Sequence, residues 1–391
     1  MGLSADALTA IDAYLQAQID AGNIPGAVTL VARHGKIVHL CALGQKDIAS
    51  GAGSEIDGIY RVFSMTKPIT GTAMMILRDE GLWSPDDPIA RHLPELANVQ
   101  VLSGAGTLSA PDHAPTMGEL MTHCAGFAYG IPIGEPSDQF EVLYRNAKVF
   151  EAHDLNDLVG RLATLPLAYQ PGTRWRYSLS MDLQGAIIER LTGQCLPDFM
   201  RERIFEPLGM VDTAFCIAPA KQHRLAPLYL KMGEAPLMPI ANPLQADPER
   251  EPKLALGGAG LFSTARDYAR FAQMLLGGGE LDGYRIVSAR GVSEQMTNRL
   301  PESMLEMGFA VGHQKFRPGF GYGYNGVVFT DPALAGVPVG NGTYHWDGAA
   351  GTWFWADPEN DLVFVGMTQF LSYTAPPLQA MSQTLMGKAF L

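Results

Sequence analysis

The stretch YRVFSMTKPITGTAMMILRDEGL, residues 60–82, predicts a helix that begins at a serine and carries a lysine on its first turn. Pro68 lacks an amide hydrogen and is tolerated only in a first helical turn, which places the start near Ser64. Apolar residues then recur at helical spacing up to a glycine stop, so we expect a helix from about Ser64 to Glu80. Lys67 follows Ser64 by three positions and therefore lies on the same face.

A serine hydroxyl beside an amine at a helix start is an arrangement for making a nucleophile. The ordinary alternative is that Ser64 caps the helix and Lys67 is a solvated side chain. The Ser-x-x-Lys spacing occurs once in the chain. Because an ordinary lysine is protonated at neutral pH, the pair needs a lowered lysine pKa or a third group. Tyr177, in WRYSLSMDLQG (175–185), is a candidate for that group, and packing is its alternative role.

The composition indicates a globular protein whose partner is a small molecule. The 391 residues are 47% hydrophobic and 17% charged, with a net charge of −12 and no basic cluster, which argues against nucleic acid or an anionic membrane as partner. No apolar run reaches the length of a membrane span. The N-terminal segment is acidic and amphipathic, so we expect a first helix, no secretory signal and a cytoplasmic location. No feature of the sequence indicates an oligomeric state.

Metals and cofactors are not expected. The four cysteines, Cys41, Cys124, Cys195 and Cys216, have no metal-ligand spacing and are predicted to be buried small hydrophobes without a structural disulfide. The nine histidines show no metal-ligand pair. The absence of Gly-x-Ser-x-Gly argues against the nucleophile elbow of the α/β-hydrolases.

The order of elements predicts a discontinuous body with an insertion. A hairpin pattern covers residues 26–44, and strand patterns return late in the chain. Between them lie short helical pieces without clear strands. We therefore predict an α/β (α+β) body from residues 1–82 and 255–391, and a mainly helical insertion domain from residues 83–254.

The arrangement of motifs resembles the serine β-lactamase and penicillin-binding superfamily, and most closely the family VIII carboxylesterases. The motifs, in order, are Ser-Met-Thr-Lys at 64–67, Tyr177, and HWDGAAG at 345–351. The segments LMTHCAGF (120–127) and GGAGLFSTARDYARF (257–271) also resemble the family. The resemblance implies a β-lactamase-like fold, an antiparallel sheet flanked by helices with a helical insertion domain.

The resemblance also implies roles for individual residues. Ser64 would be the acylated nucleophile, and Lys67 and Tyr177 would share the acid-base work, with the choice of general base left open. The backbone N–H groups of Ser64 and Ala349 would form the oxyanion hole.

Substrate-binding residues are predicted from two segments. Trp346 and Gly348 stand in the strand motif, where Trp346 has packing as its alternative role. Phe127 is a candidate for an acyl pocket, together with Tyr129 and Phe140.

Two departures from the penicillin-binding relatives favour neutral esters over anionic antibiotics. Leu179 stands where those relatives carry asparagine, and Trp346 stands where they carry the lysine that binds a carboxylate. We therefore predict a serine carboxylesterase that hydrolyses short-chain acyl esters. The alternatives are an acyltransferase or transesterase, a weak β-lactamase or D-amino-peptidase using the same site, and a non-enzymatic scaffold, which the retained Ser64, Lys67 and Tyr177 disfavour.

Overall fold

Both ends of the chain contribute strands to one large antiparallel sheet. The computed structural model describes residues 2–103, 106–132, 134–245, 247–311, 314–316 and 318–390, without the side chain at position 314. The strands are β1 Gly26–Arg33, β2 Lys36–Asp47, β3 Ala52–Gly53, β4 Tyr60–Arg61, β5 Val101–Leu102, β6 Leu108–Ser109, β7 Leu228–Lys231, β8 Met238–Ile240, β9 Phe262–Ser263, β10 Glu280–Leu281, β11 Tyr284–Arg285, β12 Phe309–Val311, β13 Gln314–Phe316, β14 Phe320–Tyr322, β15 Val327–Phe329, β16 Tyr344–Asp347, β17 Trp353–Asp357, β18 Leu362–Met367 and β19 Phe370–Ser372.

The large sheet has eight strands in the order β14-β15-β16-β17-β18-β1-β2-β3. In its centre Leu30 of β1 is opposite Leu40 of β2 on one side and Val365 of β18 on the other. The early hairpin and the late strands therefore share one sheet, which confirms the predicted antiparallel body. Such a buried sheet is stable because apolar side chains alternate onto two covered faces.

Helices cover both faces of this sheet and fill the middle of the chain. They are α1 Ala5–Asp20, α2 Thr66–Asp79, α3 Met117–Met121, α4 Gln139–Asn146, α5 Leu155–Leu162, α6 Ser180–Thr192, α7 Leu196–Met200, α8 Glu206–Leu208, α9 Ala265–Leu276, α10 Ala289–Gln295, α11 Glu302–Met307, α12 Pro332–Ala335 and α13 Leu378–Met386. The α1 and α13 helices share one apolar cluster with Trp353 and Phe364 of the sheet, and α9 packs on the other face.

The middle of the chain contains short strands that the sequence pattern does not reveal. The β5–β6 pair and the β7–β8 pair both lie within residues 83–254, so the prediction of no clear strands is wrong. In addition, β7 pairs in parallel with β19 of the body, with Leu230 opposite Leu371. Segments of two to four residues are too short for a periodic pattern to mark them. The division into two domains stays a prediction.

The helices and cysteines refine two further expectations. No helix in the described ranges is both long and apolar enough to cross a membrane. All four cysteines are free, but only Cys124 is buried. The prediction of burial is wrong for Cys195, which is exposed beside α7 with its Sγ 3.1 Å from Asp198 Oδ2.

Candidate active site

A tight turn places Ser64 directly before α2. Residues Phe63–Met65 form a 3₁₀ turn, and the α-helix begins at Thr66 and ends at Asp79, which confirms the predicted helix. Phe63 has a positive φ of 43°, a conformation that costs a bulky residue about 1–3 kcal/mol. Its ring is buried in an apolar cluster with Ala350, which stabilises the turn. Ser64 is thereby held at the helix start with 9% of its surface exposed.

Lys67 is fully buried on the first turn of α2. Its Nζ donates hydrogen bonds to Ser64 Oγ at 3.1 Å, to the Gly258 carbonyl at 2.7 Å and to Tyr129 Oη at 3.3 Å. Burial lowers the pKa of the ammonium, and the carboxylates of Asp182 and Asp347 oppose that shift. The alternative role as a solvated side chain is therefore wrong.

Tyr177 approaches the same hydroxyl from the other side. Its Oη donates a hydrogen bond to Ser64 Oγ at 2.7 Å. Burial raises the pKa of this phenol, so it is protonated at neutral pH. The structure therefore places Lys67 and Tyr177 within hydrogen-bonding distance of the Ser64 hydroxyl. The three predicted catalytic residues lie together.

An ion-pair network fixes the segments that carry the two phenols. Arg176, next to Tyr177, donates hydrogen bonds to Asp138 at 2.7 Å and to Glu141 at 2.8 Å. Glu141 also accepts the backbone N–H of Tyr129 at 3.1 Å. Bidentate and charge-assisted hydrogen bonds of this kind restrict geometry strongly. The loop of Tyr129 and the loop of Tyr177 are thus tied to α4.

His123 packs against the ring of Tyr177. It is not among the candidate residues that the sequence indicates. Its Nδ1 accepts the Ser178 N–H at 3.2 Å and lies 2.9 Å from Ser178 Oγ. The imidazole is fully buried, and burial together with the charge of Lys67 lowers its pKa. Its ring centroid is 5.0 Å from that of Tyr177. The signal for His123 in the sequence was its place in LMTHCAGF (120–127), a segment that resembles the family.

The turn after β16 lies against the residues that precede Ser64. A Cβ atom on Gly348 would lie 2.4 Å from the Val62 carbonyl oxygen, so close packing of backbone explains this glycine. The Ala349 side of the turn is exposed, and Ala350 contacts Phe63. The predicted oxyanion role of the Ser64 and Ala349 N–H groups, and the predicted binding role of Gly348, stay predictions.

Trp346 packs behind Tyr177 and does not form an open surface. The indole is 2% exposed, and its ring centroid is 5.7 Å from those of Tyr177 and Tyr322. It therefore orients the phenol, and direct contact with substrate stays a prediction. Next to it, burial raises the pKa of Asp347 to about 6, against the opposing effect of Lys67.

The prediction that Phe127 lines the acyl pocket is wrong. Its ring is 2% exposed in the core and lines a separate cavity of about 230 Å³ with Leu96 and Val99. An all-carbon ring is most stable in such a core. Tyr129, two residues later, reaches Lys67 instead, because its buried hydroxyl requires a hydrogen-bond partner.

A cavity of about 740 Å³ opens beside Tyr177. Its wall includes the aromatic rings of Tyr129, Trp175 and Phe309, and its rim carries Glu306 and Lys315. Concave sites with aromatic walls and a few polar groups are typical of small-molecule binding. The loop and hairpin that form this wall have no readable pattern in the sequence.

Asp182 is a second residue of the site that sequence reasoning did not identify. It lies on α6 with 1% exposure, and its Oδ1 accepts the Gly258 N–H at 2.9 Å. The available signal was a carboxylate five residues after Tyr177 within an apolar helical run, because a buried carboxylate needs a compensating partner.

One group of side chains has metal-ligand donors close together, on the sheet face that α1 covers. The donor atoms of Asp12, His39 and Cys41 lie within 4.8 Å of one another. His39 and Cys41 are two apart on β2, and Asp12 comes from α1, so no local spacing marks the group. His39 Nε2 is 3.0 Å from Asp12 Oδ1, and this hydrogen bond accounts for the geometry.

Comparisons with known proteins agree with the fold. The β-lactamase family model matches residues 11–380. The chain is 30% identical to Esterase EstB of Burkholderia gladioli, covering 88% of this chain and 86% of that protein. It is also 30% identical to lovastatin esterase of Penicillium rubens, covering 92% of each.

A solved structure extends this comparison to the whole fold. That structure is EstCE1, a hydrolase with promiscuous acyltransferase activity, which superposes with a TM-score of 0.79 at 24% identity and covers 98% of each chain. Together with the two named esterases it confirms the resemblance to the family VIII carboxylesterases. The chain therefore belongs to the β-lactamase family.

Proposed function

We propose that the protein is a serine carboxylesterase that hydrolyses short-chain acyl esters through an acyl-enzyme on Ser64. The observation that carries the proposal is the position of the Ser64 hydroxyl, 3.1 Å from Lys67 Nζ and 2.7 Å from Tyr177 Oη. A nucleophile needs such proton-transfer partners within hydrogen-bonding distance. The two relatives named esterases support an ester as the substrate class.

In this proposal Lys67 is the general base and Tyr177 is the general acid. The lowered pKa of Lys67 supports an amine that can lose and take up its proton near neutral pH, and the raised pKa of Tyr177 supports a phenol that keeps its proton until it donates it. Lys67 takes the Ser64 proton as Oγ bonds to the carbonyl carbon. Tyr177 then gives its proton to the alcohol oxygen as the ester C–O bond breaks. Water reverses these steps to release the acid.

The developing negative charge on the carbonyl oxygen would be held by the N–H groups of Ser64 and Ala349. Backbone donors aimed at that oxygen stabilise the tetrahedral intermediate more than the substrate. The packing of Gly348 on Val62, and of Ala350 on Phe63, supports this assignment because it sets Ala349 beside the turn of Ser64.

The charge and shape of the site support a neutral ester with a small acyl group. Asp182 and Asp347 add negative charge around Lys67, and Trp346 occupies the position where penicillin-binding relatives carry a lysine. Both features disfavour an anionic substrate. The Tyr177 phenol lies against the Ser64 hydroxyl and the Tyr129 phenol lies against Lys67, which favours a short acyl chain, while the cavity of about 740 Å³ can hold the alcohol part.

The test is hydrolysis of p-nitrophenyl acetate, butyrate and octanoate by the wild type and by Ser64→Ala. We expect activity on the two shorter esters, weaker activity on octanoate, and loss of turnover in the variant. Ser64→Ala activity within tenfold of the wild type would contradict the nucleophile assignment. A preference for octanoate would contradict the short acyl pocket only.

Acyl transfer is the second candidate function, because EstCE1 is described as a hydrolase with promiscuous acyltransferase activity. The same acyl-enzyme would pass its acyl group to an alcohol bound in the cavity. Product analysis of p-nitrophenyl butyrate turnover with added benzyl alcohol measures the share of benzyl butyrate. A share that stays dominant at low alcohol concentration would make transfer the main reaction. We expect nitrocefin, an anionic β-lactam, to turn over much more slowly than the esters.

A further inference from the structure

We propose that Asp182 is a positioning residue of this site, which holds Lys67 in place through the Gly257–Gly258 segment and through its own negative charge. The Asp182 carboxylate accepts the Gly258 N–H at 2.9 Å, and the Gly258 carbonyl accepts the Lys67 ammonium at 2.7 Å. Gly258 therefore connects the Asp182 carboxylate to the Lys67 ammonium through its N–H and its carbonyl. The consequence for activity rests on the proposed esterase function, whereas the coupling of the two charges does not.

The joining segment is tightly held between α2 and α6. A Cβ atom on Gly257 would lie 2.4 Å from the Met181 carbonyl oxygen, so only glycine allows this approach. The Thr70 hydroxyl of α2 donates to the Gly257 carbonyl at 2.6 Å. The Gly258 carbonyl, which accepts a hydrogen bond from Lys67, therefore belongs to a backbone segment that close packing holds in place.

The Asp182 carboxylate has one oxygen without a hydrogen bond. Its Oδ2 is buried and has no hydrogen-bond partner among the described residues. A buried charge with an unsatisfied oxygen is unfavourable unless a nearby opposite charge compensates it. A Cβ atom on Gly258 would lie 3.1 Å from this oxygen and 3.4 Å from Lys67 Nζ, so the two groups are at most about 6.5 Å apart. Lys67 is thus the compensating charge.

Several other titratable or polar groups lie around Lys67. They are the carboxylate of Asp347, the phenols of Tyr129 and Tyr177, the hydroxyl of Ser64 and the imidazole of His123. Burial keeps both phenols and the imidazole neutral near pH 7. Asp182 and Asp347 are then the anions that oppose deprotonation of Lys67, and Asp182 is the larger influence of the two.

Removing the charge of Asp182 should therefore make Lys67 lose its proton at lower pH. At the upper limit of about 6.5 Å and an effective dielectric constant of about 20, the lost interaction corresponds to about 2 pH units. Asp182→Asn retains an oxygen that can accept the Gly258 N–H, so it changes charge more than shape. We expect the acid limb of kcat/KM for p-nitrophenyl butyrate to move down by about 2 pH units.

Asp267→Asn is the matched control. Asp267 is also buried and accepts the Asp212 N–H at 2.7 Å and the Thr213 hydroxyl at 3.0 Å. The charges that act on the pKa of Lys67 are those of Asp182 and Asp347. Burial raises the pKa of both carboxyls, Asp182 and Asp267, to about 6, so the two variants remove similar groups. The control should leave the acid limb within about 0.3 pH unit of the wild type. An equal shift in both variants, or no shift in Asp182→Asn, would overturn the proposal.

A direct titration separates this proposal from the esterase function. In protein labelled with ¹⁵N-lysine, the resonance absent from Lys67→Met identifies Lys67, and its pKa should fall in Asp182→Asn by the same amount. A fall in the NMR pKa without ester hydrolysis in the wild type would support the Asp182 coupling and contradict the esterase. Hydrolysis with an unchanged NMR pKa would contradict the coupling alone.

A double-mutant cycle covers the case in which Asp182→Asn does not fold. Lys67→Met leaves the Asp182 charge uncompensated, so its Tm should fall below that of the wild type. Adding Asp182→Asn to Lys67→Met should raise the Tm again. A double variant that is less stable than Lys67→Met would overturn the coupling of the two charges.

Discussion

Replacing Tyr177 by phenylalanine removes one oxygen atom. The variant should show whether Tyr177 acts as the general acid or as the general base in the proposed reaction. The phenol donates to Ser64 Oγ at 2.7 Å, and its ring packs at centroid distances of 5.1 Å on Tyr129 and 5.7 Å on Trp346. Phenylalanine keeps these ring contacts. We therefore expect the fold to persist, with a change in the free energy of unfolding of about 1 kcal/mol for the lost hydrogen bond.

The catalytic effect should be much larger than the effect on stability. A positioned general acid or base contributes about 10²–10⁴ in rate, which corresponds to about 3–5 kcal/mol in the activation barrier. If Tyr177 protonates the leaving alcohol, the loss must depend on the leaving group. An alkoxide needs a proton to depart, whereas p-nitrophenolate departs without one.

The assay compares ethyl butyrate, by pH-stat titration, with p-nitrophenyl butyrate, by absorbance, for the wild type and Tyr177→Phe. We expect a loss of at least about 10²-fold in kcat/KM for the ethyl ester and a clearly smaller loss for the p-nitrophenyl ester. Equal losses on both esters would refute the acid role and favour Tyr177 as the base that activates Ser64. Losses below tenfold on both would remove Tyr177 from the mechanism.

Three further predictions test other parts of the molecule. Ser64→Ala should form no covalent adduct with a fluorophosphonate by intact-protein mass spectrometry, while the wild type gains one adduct per chain. Lys67→Arg keeps the charge but cannot release a proton near neutral pH, so kcat on p-nitrophenyl butyrate should fall about as far as in Lys67→Ala. Asp267 has its pKa raised from 3.8 to about 6 by burial, so its stabilising effect is present below pH 3.8 and is lost as the pH rises through 6. Relative to Asp267→Asn, the wild type should therefore lose up to about 3 kcal/mol of unfolding free energy over that range, measured by urea unfolding.

Much of the site can be read from local spacing. Ser64 and Lys67 share a helix face because the residues are three apart, and Pro68 restricts the helix start whatever surrounds it. The hairpin of β1 and β2 also follows from alternation around a turn. These features depend on covalent geometry and on contacts between near neighbours in the chain.

Other assignments failed because the residues involved are determined by packing between distant segments. Phe127 and Tyr129 look alike in the sequence as loop aromatics, but one fills the core and the other contacts Lys67. The strand β7 is defined by its pairing with β8 and with the distant β19. Neither outcome follows from a repeating pattern of residues, because each depends on the surface against which the segment packs.

Residue types and their spacing are enough to indicate the family, the order of its motifs and the helix that carries Ser64 and Lys67. The protonation chemistry of the site depends on how the chain packs. Lys67 has a lowered pKa because its side chain is buried, and Asp182 opposes that shift because the Gly258 backbone, hydrogen-bonded to both groups, brings the carboxylate of α6 close to the amine of α2. Burial and the separation of charges across helices arise when distant segments pack, so they cannot be read from the order of residues.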